Sequence, residues 1–205
     1  MIFRSGGSGS YITLPYQYLT AQNPNKKYCF DESFCVPFDG YDINGWNACS
    51  VYAVAMVLHH HLKYVDGIDF NTRANRCKEI AVEKGYAKTK NGSVNYYIIA
   101  GKLKGFAERC IRCFNANLTV DSDMIGTWNT TKNEIKNGRP VILNILSAPN
   151  SNYVNHSVVA YGWSLWNDES GRTYRFLLVK DGREMTEDRY VDFESIGLHY
   201  ITKIY

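Results

Sequence analysis

From residue 48 to residue 62 the apolar positions recur at helical spacing, with Val51, Val54, Ala55, Leu58 and Leu62 along one stripe. Ala53, Met56 and Val57 fill most of the remaining surface. This predicted helix is therefore apolar nearly all round, and such a helix belongs inside a domain rather than on its rim. Further helices are predicted over 71–84, with Asn71 or Thr72 as cap and Gly85 as stop, over 94–107, and over 131–137 ahead of Gly138. Then the period changes. Residues 141–146, 157–161, 176–179, 189–193 and 200–205 are short β-branched or aromatic runs separated by polar turns, which is strand patterning. Before residue 45 the chain reads as extended or looped, with one short strand over 11–15. The pattern predicts an α+β protein in a single domain. Its front, about 1–130, is mainly helical after an extended N-terminal segment, and its back, about 131–205, is rich in β-structure.

Composition narrows the function. With 205 residues, 45% hydrophobic and 21% charged, the chain has the make-up of an ordinary globular protein. The formal net charge is only +3, and its Lys and Arg are scattered, so no basic stripe points to nucleic acid. No apolar run reaches the roughly 18–20 residues that span a bilayer. The Gly/Ser-rich start, Met1 to Ser10, lacks the apolar core of a signal peptide. Sixteen tyrosines, with many Asn and Gly, lean toward hydrogen-bonded strands and an extracellular setting. The expectation is a secreted monomer whose signal is absent from this sequence, in preference to a cytoplasmic one.

Six cysteines are present: Cys29, Cys35, Cys49, Cys77, Cys110 and Cys113. A catalytic thiol among them would leave five, which cannot all pair internally. Cys29 and Cys35 could close a small loop, and Cys110 and Cys113 have CxxC spacing. A zinc site needs a second such knuckle or a Cys/His pair, so no metal and no cofactor is expected. The run His59-His60-His61 does not change this. Adjacent helical residues point about 100° apart, so the three cannot converge on one ion, and they suit the negative end of a helix.

The cysteine that stands apart is Cys49, at the loop-to-helix junction Asn44-Gly45-Trp46-Asn47-Ala48-Cys49-Ser50. A helix N-terminus offers unpaired N–H groups and a partial positive charge, which favours thiolate over thiol and can bind an oxyanion beside it. The candidate base is His156, just before the apolar run Ser157-Val158-Val159-Ala160-Tyr161. Asp181 follows Phe176-Leu177-Leu178-Val179-Lys180 and is placed to orient that imidazole. Alone, each residue is more often structural: a buried cysteine as a small hydrophobe, a histidine as a satisfied core residue, an Asp before Gly as a turn. Combination and order carry the argument.

That order resembles papain-like cysteine peptidases. Asn47-Ala48-Cys49-Ser50-Val51-Tyr52-Ala53-Val54-Ala55-Met56-Val57-Leu58 looks like the nucleophile helix of the bacterial branch that includes bacteriocin-processing (peptidase C39-like) domains. Ile135-Lys136-Asn137-Gly138-Arg139-Pro140-Val141-Ile142 is similar to the helix–turn–strand before their histidine, and His156 to Gly162 resembles the histidine strand. The likeness covers about 40–65 and 130–195. It implies a papain-like fold: an N-terminal helical lobe, a C-terminal antiparallel sheet or barrel, and the active site between them. It also implies a Cys49–His156–Asp181 triad hydrolysing peptide bonds through a thioester, with a peptide or protein as substrate. The family's oxyanion glutamine usually lies about six residues before the cysteine; no Gln is there, and Asn44, or else Asn47, is expected in its place. Ser50-Val51 replaces the usual Gly-Pro or Trp after the nucleophile, and Asp181 stands where papain's closer relatives have Asn. Trp46 and Trp163 flank the catalytic elements and are expected to line the cleft. The alternatives are another Cys-His-Asp acyl transfer, transglutaminase-like or amide-forming, and an inactive papain-like binding module.

Overall fold

The computed structural model describes residues 13–15, 28–30, 48–146, 155–167, 173–182 and 189–205. Among these, four α-helices and ten strands make an α+β architecture. Helix α1 (Cys49–Leu62) is the central one. Val51, Ala53, Val54, Ala55, Val57 and Leu58 are all inaccessible, as an all-round apolar helix requires. Helix α2 (Phe70–Glu83) begins one residue before the predicted cap, because Asp69 takes that role by accepting from the Thr72 N–H at 3.0 Å. Gly85, at φ +70°, supplies the left-handed residue beyond its end.

The third predicted helix moves. Residues 88–95 form a hairpin of β3 (Lys88–Lys90) and β4 (Ser93–Asn95), and helix α3 covers Ala100–Cys113 instead of 94–107. The reason is the Asn91-Gly92 turn, both residues at positive φ, which matches the twist of a two-residue hairpin. Helix α4 (Trp128–Lys136) starts three residues early because Thr127 caps it through the Thr130 N–H.

All but the hairpin strands join one antiparallel sheet in the order β1-β9-β8-β7-β6-β10-β5, with β2 also paired to β7. The predicted strands of the back half appear as β6 (Val141–Ile145), β7 (His156–Asn167), β8 (Thr173–Lys180), β9 (Arg189–Asp192) and β10 (His199–Ile204). From the front come β1 (Thr13–Pro15), β2 (Tyr28–Phe30) and β5 (Val120–Asp123). Strand β5 escapes the hydrophobic pattern because it is polar. It pairs with β10, where Lys203 bridges Asp121 at 2.7 Å and Asp123 at 3.0 Å.

The alternation of β6 and β7 divides the interior into two cores. Ile142 and Val159 pack with α1, α2 and α3, while Val141, Leu143, Val158 and Ala160 pack with α4, β8 and β9. The first core is what fixes α1 against the sheet, with its N-terminus at the end where β7 begins. No helix among the described residues is long and apolar enough to cross a membrane.

Candidate active site

Cys49 is the first residue of α1 and is 7% exposed. Ala48 provides no side-chain cap, and no acidic residue occupies the first turn. The positive end of the helix is thus not satisfied by its own side chains.

The residue after Cys49 holds the neighbourhood together. Ser50 is fully buried; its Oγ donates to the Ile98 carbonyl at 3.1 Å, accepts from the Ile98 N–H at 3.2 Å and lies 3.2 Å from Ser157 Oγ. Ser157 in turn donates to the side-chain oxygen of Asn144, its cross-strand partner on β6. Since Ser157 commits its one proton to Asn144, the Ser50 proton serves both Ile98 and Ser157. One hydroxyl therefore ties the start of α1 to the start of β7 and to the segment ahead of α3. Two of the tied residues directly follow a proposed catalytic residue: Ser50 follows Cys49, and Ser157 follows His156.

His156 opens β7 and is partly buried. Its Nε2 lies 2.9 Å from the main-chain carbonyl oxygen of Asp181, just beyond β8. A carbonyl can only accept, so Nε2 carries the proton in that contact and Nδ1 is the basic nitrogen of the neutral ring. The carboxylate of Asp181 was the expected orienter; the contact seen is with its backbone, held in place because Asp181 is 3% exposed. The register of β7 with β8 creates that approach, Val159 pairing with Lys180, with a bulge at Tyr161.

Trp163 lies in the core on the α4 face, 7% exposed and edge-to-face with Trp128 at 6.2 Å, with Lys132 over its ring. Asn44, Trp46 and Asn47, expected as oxyanion donors and cleft wall, lie outside the described residues, as does Cys35. Of the CxxC pair, Cys110 is buried against Cys77, whose thiol and the surrounding burial push the Cys110 pKa up, and Cys113 is exposed. Among the described residues no cluster of His, Cys, Asp or Glu is arranged to hold a metal. His59, His60 and His61 occupy the last turn of α1, where His60 Nε2 meets the Gly138 carbonyl at 3.2 Å.

Sequence reading missed Ser50 and Ser157. The signal available was polarity out of place: a serine opening an otherwise apolar helix and another inside an apolar strand.

A family model described as Peptidase_C39 like family matches residues 19–196, a span that contains Cys49, His156 and Asp181. No curated protein matches the chain.

Proposed function

The chain belongs to the Peptidase_C39-like family, and from that membership we propose that it is a cysteine peptidase of papain-like build with Cys49 as nucleophile, His156 as proton-transfer group and Asp181 as orienter. The observation that carries the assignment of residues is the Ser50–Ser157 contact, which brings the residues following Cys49 and His156 to 3.2 Å from each other.

In this reading His156 Nδ1 takes the Cys49 proton while Nε2–H stays on the Asp181 carbonyl, and the thiolate–imidazolium pair is favoured by the helix N-terminus. The sulfur attacks the peptide carbonyl, forming a C–S bond and an oxyanion. The free N–H groups at the start of α1, with Asn44 or Asn47, receive that charge. Collapse expels the amine, protonated by His156, and leaves a thioester. His156 then deprotonates a water that attacks the thioester, releasing the acid and restoring the thiol.

The test is alkylation by iodoacetamide from pH 5 to 9, with the modified cysteine mapped by mass spectrometry, beside hydrolysis of a casein-derived peptide mixture. Selective alkylation of Cys49 below pH 7, lost in His156→Ala, together with hydrolysis lost in Cys49→Ala, is the expected result. Because the main-chain carbonyl survives substitution, Asp181→Asn is expected to keep more activity than His156→Ala. Alkylation of Cys49 that follows an ordinary thiol pKa near 8.5, indifferent to His156, would overturn the assignment.

A further inference from the structure

The segment between β4 and α3 is fixed more firmly than a connecting loop needs. The Tyr97 N–H donates to Asn95 Oδ1 at 2.9 Å, Ile98 is gripped through both its N–H and its carbonyl by Ser50, and the Ile98 side chain is 1% exposed in the α1 core. Ile99 is already the N-cap of α3. Tyr97 therefore sits on a backbone held on both sides, one residue from the clamp that Cys49 also adjoins. Its phenol is half-buried.

We propose that Tyr97 is a third catalytic side chain of this site, its phenol O–H donating a hydrogen bond to the carbonyl oxygen of the acyl group as that oxygen becomes an oxyanion. This rests on the reading of Cys49 as nucleophile. Two features support it. Burial and, after it, the neighbouring Cys49 push the Tyr97 pKa up, so the phenol keeps its proton throughout the neutral range. Moreover, no glutamine stands about six residues ahead of Cys49, where the family usually has one, so a further donor beside Asn44 or Asn47 would compensate for it. No proton is transferred in the step. The C–S bond forms, the carbonyl π pair moves to oxygen, and the phenol stabilises that oxygen by donation alone.

Tyr97→Phe removes one oxygen and keeps the ring, so folding should be preserved and is checked by an unchanged melting temperature. Three measurements on the full chain then decide: kcat and KM for a cleaved peptide, inhibition by a peptide aldehyde, and the alkylation rate of Cys49 by iodoacetamide. Alkylation at carbon forms no oxyanion. The expected result is a kcat lowered about 10- to 100-fold, toward the range seen for loss of one oxyanion donor. The aldehyde, which forms a tetrahedral adduct, should weaken in parallel, while KM and the alkylation rate stay within about twofold. An unchanged kcat, a rise in KM alone, or an equal fall in alkylation each overturns the proposal, the last two by assigning Tyr97 to substrate packing or to the thiolate. If wild-type protein neither cleaves peptide nor alkylates selectively at Cys49, it is the underlying peptidase reading that fails.

Discussion

Replacing Ser50 by alanine should damage this protein far more than the loss of one oxygen atom would suggest. The hydroxyl is fully buried and is the partner of both the Ile98 N–H and the Ile98 carbonyl, with Ser157 Oγ as a third neighbour. Alanine leaves almost no cavity, so the cost is polar. Two backbone groups of Ile98 lose their partner at once, and each buried group left unmade costs about 1–3 kcal/mol. Ser157 keeps Asn144 and adds little. The sum is about 2–6 kcal/mol, a large share of a stability of roughly 5–15 kcal/mol. In urea, with a slope of about 2 kcal/mol/M, the midpoint should fall by about 1–3 M at unchanged slope. The control is Cys49→Ala, whose sulfur has only a weak 3.9 Å contact to Ser50 Oγ and should cost about 1 kcal/mol. Because the same hydroxyl aligns the segments carrying Cys49, His156 and Tyr97, the alkylation rate of Cys49 in the folded variant should also change. A midpoint within 0.3 M of wild type, with alkylation unaltered, would refute the idea that Ser50 organises the site.

Two further predictions concern charge. Arg73 is fully buried, with Nη2 on Asp66 at 2.7 Å and its face on the Phe114 ring, while Nε and Nη1 make no hydrogen bond. Asp66→Ala strands that cation and should cost about 2–4 kcal/mol, whereas Arg73→Met, which removes it, should cost less than about 1 kcal/mol. Equal urea midpoints for the two variants would contradict this. Burial, the neighbouring His60 and, less strongly, Arg139 lower the His61 pKa from 6.5 to about 4, against a hydrogen bond with the Ile204 backbone that raises it. The unfolded chain then binds more protons than the folded one between pH 6.5 and 4. The resulting stability is complete above pH 6.5 and is lost as pH falls toward 4. His61→Gln should flatten that part of the urea-midpoint profile, leaving the smaller share due to His199, whose pKa burial also lowers; an unchanged slope would count against it.

Much of the architecture was legible along the chain because the physics there is local. An all-round apolar run between residues 48 and 62 can only be an interior helix, and the five alternating or apolar runs after residue 140 became strands with boundaries shifted by a few residues. Glycines after helices marked their ends. Where local signals competed, pattern reading erred: Asn91-Gly92 takes the chain into a hairpin although the following residues carry helical spacing, and polar β5 forms because β10 needs a neighbour.

Sequence by itself determined the chemistry on offer: a cysteine at a helix start, a histidine before a strand and an acid after the next one, in an order that points to the family the chain belongs to. Which groups meet was decided only by the tertiary structure. The Ser50 hub joins residues separated by 48 and 107 positions, and the β7–β8 register presents the Asp181 main-chain carbonyl to His156. The physical reason is that a hydrogen bond is satisfied by whatever group packing brings within about 3 Å, and packing between distant segments leaves no period in the chain to read.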